Sequence, residues 1–201
     1  MEKGLLLPSF YLAPITYYSQ ILENGKENRF ERFEHYPKQT YRNRATIHSP
    51  NGKLDLIVPV KKGVGGHTKM RDVRISYEFD WQRLHWMSLQ TSYRSSAYFE
   101  FYEDDFARFY EKKTDFLIDY TFSIHEYIMK LLKIERQIKF TSEYEKDYPE
   151  LIDLRNSIHP KKAHSPNKHY FQVFESNNGF IPNLSIVDLL FNKGPESKEY
   201  I

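Results

Sequence analysis

The alternation of apolar and polar residues along the chain divides it into two halves. Leu5, Leu6 and Leu7 form a short apolar run closed by Pro8, which predicts a buried strand. Pro14 suits the first turn of a helix. Ile15, Tyr18, Ile21 and Leu22 then recur at helical spacing, and Gly25 ends the run. Phe30 and Phe33 stand among charges between Asn28 and Glu34, the pattern of an exposed strand. Tyr41–His48 and Lys53–Val60 both alternate, with Ser49-Pro50-Asn51-Gly52 between them. Proline pre-sets a turn and Asn-Gly tolerates positive φ, so this pair predicts a β-hairpin. Val73, Ile75 and Tyr77 predict a further strand.

The second half reads as helices. Trp81, Leu84, His85, Ser88, Leu89 and Ser92 share one helical face, and Phe99, Tyr102, Phe106, Phe109 and Tyr110 share a second. Leu117, Tyr120, Ile124, Tyr127, Ile128 and Leu131 share a third. Ile138–Phe140 fits a strand, and Asp147–Ser165 reads as loop with a helical turn. Tyr170, Gln172 and Phe174 mark another short strand. A last helix carries Val187, Leu190 and Phe191, capped by Asn183 and stopped by Gly194-Pro195. The expected fold is mixed α and β, a single domain over residues 1–201, with a hairpin-rich N-terminal half followed by packed helices.

Composition removes several function classes. The 201 residues include no cysteine, which excludes disulfides, thiolate metal sites and a cysteine nucleophile. The early apolar run is too short for a signal-peptide core, and no stretch reaches the ~20 apolar residues of a membrane span. With a mean hydropathy of −0.69, a soluble cytoplasmic protein is expected. His159, His164 and His169 are spaced too irregularly to predict a metal site.

Charge is unevenly placed. The chain is +2 overall, yet between His35 and Arg71 eight Lys and Arg face Asp55 alone, so this segment is +7 and the remainder −5. Such a segment is either a solvated hairpin or an anion-binding surface. Arg42 and Arg44 lie two apart in a predicted strand and so share a face, which Lys38 can join. Either an anionic ligand lies between these guanidiniums or the acidic run Glu103-Asp104-Asp105 pairs with them. Asn43 points the other way and can tie loop backbone. His85 is either a satisfied core histidine or a general base, and His35 is a second candidate base. Tyr93, like other tyrosines here, can stack on a ring. Gly63-Val64-Gly65-Gly66 is a connector, a mobile loop or a phosphate cradle without the Walker pattern.

Several blocks in order resemble the WbqC-like family. Tyr41-Arg42-Asn43-Arg44-Ala45-Thr46-Ile47, then Asn51-Gly52, then Ile57-Val58-Pro59-Val60 is similar to its "NRN-x-I … P-x-G … L-T-V-P-V" segment. Ser96-Ala97-Tyr98-Phe99 with Tyr102 resembles "A-P-Y-F-x-x-Y". Phe180-Ile181-Pro182-Asn183-Leu184-Ser185-Ile186-Val187-Asp188-Leu189-Leu190-Phe191-Asn192 resembles "F-I-P-N-L-S-x-x-D-L-L-F-N". Many members begin with "H-Q-P-N-Y-L-P-W", whereas Leu7-Pro8-Ser9-Phe10-Tyr11-Leu12-Ala13 carries no histidine or glutamine.

The resemblance implies a role in cell-surface polysaccharide (O-antigen-type) biosynthesis. That role is either a transferase of glycine, another acyl group or a sugar, or a non-catalytic binding or scaffold protein of the same pathway. It adds Asn183 to the substrate-binding candidates Lys38, Arg42, Asn43, Arg44 and Tyr93, and weight to His85. The expected partner is an anionic small-molecule donor, a nucleotide sugar or an activated acyl group. No signature names a cofactor. The acidic remainder of the chain, without a reader motif, argues against nucleic acid.

Overall fold

The computed structural model describes residues 3–24, 27–61, 63, 67–163 and 166–201. The expectations for Gly25, for Val64 to Gly66 and for His164 lie outside the described residues. Four parallel strands make the main sheet, in the order β5-β2-β1-β6. They are β1 (Gly4–Leu7), β2 (Glu27–Phe30), β5 (Gln137–Phe140) and β6 (Leu151–Asp153). Leu5, Leu6 and Leu7 are wholly buried, as a central parallel strand covered on both faces requires. A Cβ on Gly4 would run into the Glu27 carbonyl and the Leu151 side chain, so glycine there lets the three strands close up. The first crossover is helix α1 (Ile15–Glu23).

Between β2 and β5 the chain leaves the sheet. It forms a separate hairpin of β3 (Arg44–Ser49) and β4 (Gly52–Ile57), in register from Arg44↔Ile57 to Ser49↔Gly52. Gly52 at φ 94° supplies the positive φ of the turn. Three helices follow, α2 (Trp81–Tyr93), α3 (Phe99–Glu111) and α4 (Leu117–Leu131). A short turn, α5 (Glu175–Asn178), precedes α6 (Ile186–Lys193). Phe122 and His125 of α4 meet the Phe30 ring of β2. From α6, Phe191 meets the rings of Tyr93, Phe99 and Phe106 on α2 and α3. The core is therefore a continuous aromatic layer between sheet, hairpin and helices. Gly194, at φ 53°, presses on the Tyr98 ring, where a Cβ would not fit.

The mixed α/β class, the hairpin and the helical second half follow the pattern of the sequence. Five local readings of strands and helix faces are corrected. β2 is not exposed but lies between β1 and β5, and Asn28 is buried in it. β6 falls inside the stretch read as loop, because three residues are too few to show a period. Val73–Tyr77 makes only single bridges, Val60↔Ile75 and Arg74↔Phe116, and Tyr170–Phe174 forms no strand. On α2, Leu84 is 54% exposed and Gln82 and Tyr93 are buried in its stead. Among the described residues no helix is long and apolar enough to cross a membrane.

Asn183 does not cap α6. Ser185 is the N-cap, its hydroxyl accepting from Val187 N. The Asn183 Oδ1 instead accepts from the Thr16 N–H (2.9 Å) and hydroxyl (2.7 Å) in the first turn of α1. Pro14, the N-cap of α1, has no side-chain acceptor to offer. A residue from the far end of the chain thus satisfies donors that the local sequence leaves open.

One buried group ties this core to pH. His125 is enclosed by Tyr17, Tyr18, Phe30 and Phe122, and burial pushes its imidazole down to about 3. The folded state holds it neutral, so its stabilising contribution is complete above the ordinary histidine range and is lost as pH falls. In urea unfolding, wild type should lose about 2 kcal/mol more between pH 7 and pH 5 than His125→Phe does. Parallel pH profiles for the two proteins would show that His125 is not held neutral.

Candidate active site

The strand order reverses at β1. The chain steps outward from β1 to β2 and β5, then returns to the other side of β1 as β6. In open parallel sheets, the crevice beyond the carboxyl ends of the strands at such a point is the place where ligands bind. A cleft of about 720 Å³ lies there. Its walls come from Phe33, Glu34, His35 and Pro37 after β2, from Asp153, Arg155 and Asn156 at the end of β6, and from Lys69, Tyr144, Lys146 and Asp147.

A buried ionic frame holds these segments. Arg42 is 1% exposed and grips Glu34 with two parallel bonds, Nε to Oε1 at 2.7 Å and Nη2 to Oε2 at 2.6 Å. Its Nη2 also donates to the Arg155 carbonyl at 3.0 Å. Arg155 in turn makes a fork with Asp153, at 3.0 Å from Nε and 2.6 Å from Nη2. It donates to the carbonyls of Glu145 and Lys146, each at 2.8 Å. Glu31, wholly buried, accepts from Phe33 N, Glu34 N and the Thr141 hydroxyl, and its other oxygen lies 3.7 Å from Arg155. Burial raises the Glu34 carboxyl above its ordinary range, against the lowering pull of Arg42. One network therefore joins the ends of β2, β5 and β6 to the Glu145–Lys146 wall.

The structure separates the residues singled out from sequence. His35 is exposed in the cleft, bridged through its backbone to Lys69 and with its ring 5.7 Å from that of His67. Lys38 is exposed on the following turn. Arg42 and Arg44 do not share a face, because β3 begins only at Arg44 and Arg42 sits in the preceding turn. Nor does the acidic run on α3 pair with them. Glu103 takes Gln90 and Arg94, Asp105 takes Tyr127, and Arg44 lies 3.4 Å from Asp55 across the hairpin. Asn43 ties loop backbone, donating to the Val58 carbonyl at 2.9 Å.

His85 and Tyr93, both on α2, are buried away from the cleft. The His85 Nδ1 is 3.0 Å from the Tyr11 hydroxyl, its ring packs on Trp81, and burial pushes it down to about 4. Tyr93 donates to Asp188 at 2.8 Å. Asp188, fully buried, also accepts from Tyr170 at 2.6 Å and from Gln172 at 3.2 Å. Burial raises its carboxyl to about 6.

Glu31, Glu34, Lys69, Lys146 and Arg155 were not singled out from sequence. Two carboxylates eight and eleven residues before Arg42 were a usable signal for an ion pair. Lys146 and Arg155 carried none, because only the missed strand β6 brings them to the cleft.

The frame makes a stability prediction. Arg42→Ala leaves Glu34 buried beside Glu31 without its cation, and should cost about 3–5 kcal/mol in urea unfolding. Arg42→Met with Glu34→Leu, which removes both charges, should recover most of that loss. A change below about 1 kcal/mol for Arg42→Ala would mark its guanidinium as a solvated group.

Comparison with known proteins agrees with this chain's motifs. An uncharacterized protein of Mycobacterium tuberculosis (strain ATCC 25618 / H37Rv), Rv1507c, is 26% identical over 228 residues, spanning 100% of this chain and 98% of that protein. No solved structure matches. The family model of the WbqC-like protein family matches residues 9–168 and 155–200, together nearly the whole chain, and the protein belongs to that family.

Proposed function

We propose that this protein is a cytoplasmic transferase of cell-surface polysaccharide assembly, and that its anionic activated donor binds in the carboxyl-end cleft. The observation that carries this reading is the position of the cleft at the strand-order reversal, with His35, Lys69 and Lys146 on its walls. Family membership supports the polysaccharide setting. Lys69 and Lys146 act as point charges for the donor's phosphate or carboxylate. Arg155 is occupied by Asp153 and two carbonyls, so it holds the wall and leaves the donor to the lysines. His35 takes the proton from the acceptor's hydroxyl or amine as that group attacks the donor's activated carbon and the anionic leaving group departs. Of the sequence candidates, Arg42 serves by positioning Glu34 and Arg155, and Lys38 is exposed just after Pro37 of the cleft wall.

A binding role without turnover is favoured by one observation, the enclosure of His85 in the core, which leaves His35 as the exposed base among the two histidines proposed.

A thermal-shift series with UDP-glucose, ATP and acetyl-CoA tests the donor site. At least one should raise the melting temperature of the wild type, and Lys69→Ala with Lys146→Ala should abolish the rise. No stabilisation by any of the three would overturn the donor reading. Donor consumption that His35→Gln removes while binding persists identifies the transferase. Binding without consumption in both proteins identifies the scaffold.

A further inference from the structure

A second cleft, of about 640 Å³, opens beside the hairpin. Tyr41, Arg44, Thr46, Lys53 and Asp55 of the hairpin region form one wall, and Pro160 to Ala163 with Pro182 to Leu184 form the other. The two clefts are built from the same two stretches of chain. His35 and Pro37 line one and Tyr41 and Arg44 the other, while Arg155 and Asn156 line one and Pro160 to Ala163 the other.

The second cleft is strongly cationic. Arg44, Lys53, Lys161 and Lys162 stand against Asp55 alone, a surplus of +3. Asp55 is already engaged by the Thr46 hydroxyl at 2.7 Å. It meets only one terminal nitrogen of Arg44, at 3.4 Å, and so does not use the guanidinium as a fork. The Arg44 Nε is buried and makes no hydrogen bond. The side chain as a whole is 28% exposed, so its terminal nitrogens, of which Asp55 engages one, remain donors for an oxyanion in the cleft. Lys53 and Lys161 add charge without fixed direction, and Lys162 adds charge while its Nζ donates to the Asn156 carbonyl at 2.8 Å.

We infer that this cleft is a phosphate-binding subsite, distinct from the carboxyl-end cleft and centred on Arg44. A phosphate or diphosphate group fits the +3 surplus better than a lone carboxylate, because it carries about −1.5 to −2 per phosphate monoester near neutral pH. The subsite stands on the hairpin's own geometry. It extends the proposed function by giving a second phosphate-bearing substrate a place beside the first.

Calorimetric titration with inorganic phosphate and with pyrophosphate, at ionic strength fixed with chloride, tests it. Wild type should bind pyrophosphate, and Arg44→Gln should weaken that binding about tenfold or more. Arg44→Lys keeps the charge but removes the planar guanidinium with its fixed donors, and should weaken it as well. Lys53→Ala with Lys161→Ala, both at exposed positions, should weaken it several-fold. Lys69→Ala with Lys146→Ala should leave this event intact, so failure of the donor site and failure of this subsite are read separately. Binding unchanged by Arg44→Gln, or restored in full by Arg44→Lys, overturns the subsite. Glucuronate binding as tightly as pyrophosphate overturns the assignment to phosphate.

Discussion

The bidentate salt bridge between Arg42 and Glu34 is the constraint on which the site depends. Both side chains are buried, and taking two charges from water is costly unless geometry is good and remaining donors are met. Here they are met, since the guanidinium makes both carboxylate bonds and also reaches the Arg155 carbonyl. Arg155 then fixes Asp153 on β6 and the carbonyls of Glu145 and Lys146. A chain of charge-assisted bonds therefore carries order from the hairpin entry to the far wall of the cleft. The parallel sheet provides the crevice, and the ionic frame gives it a defined shape.

A second polar centre does similar work on the other side of the core. Asp188 on α6 accepts from Tyr93, Tyr170 and Gln172 with no cation among these partners. Three neutral donors compensate the buried carboxyl in part, and burial still raises it to about 6. Tyr93 also receives the His48 N–H at 3.2 Å, so this network locks α6 to α2 and to the hairpin. Asn183 extends the same logic by capping α1 from the opposite end of the sequence. The "F-I-P-N-L-S-x-x-D" block thus has a structural reading for two of its polar residues, Asn183 and Asp188.

Much of the fold was legible because long periodic segments report burial directly. The faces of α3 and α4 and the alternation of β3 and β4 needed only sequence spacing. Short parallel strands were not legible in the same way. β6 is three residues long, and its pairing with β1 is a tertiary fact that no local pattern encodes. Because β6 was missed, the reversal of strand order was missed, and with it the cleft.

The site residues divide for the same reason. His35 was recognised and lies in the cleft. Arg42 reads from sequence as a charge in need of a partner, but the alternation predicted from Tyr41 begins three residues later, at Arg44, and the partner is Glu34, eight residues before Arg42, not the acidic run of α3. The surplus of +7 around the hairpin was a sound signal. Part of it lies on two separate clefts, Arg44 and Lys53 on one and Lys69 on the other, whereas Lys38, Lys61 and Arg71 are exposed outside both.

The central claim is that ligand enters at the carboxyl ends of the parallel sheet, within the frame set by Arg42 and Arg155. Hydrogen exchange measured by mass spectrometry, with and without UDP-glucose or ATP, addresses it most directly. The account predicts protection in the segments bearing His35, Lys69, Lys146 and Arg155. Protection confined to segments outside both clefts, or none at saturating nucleotide, would contradict it.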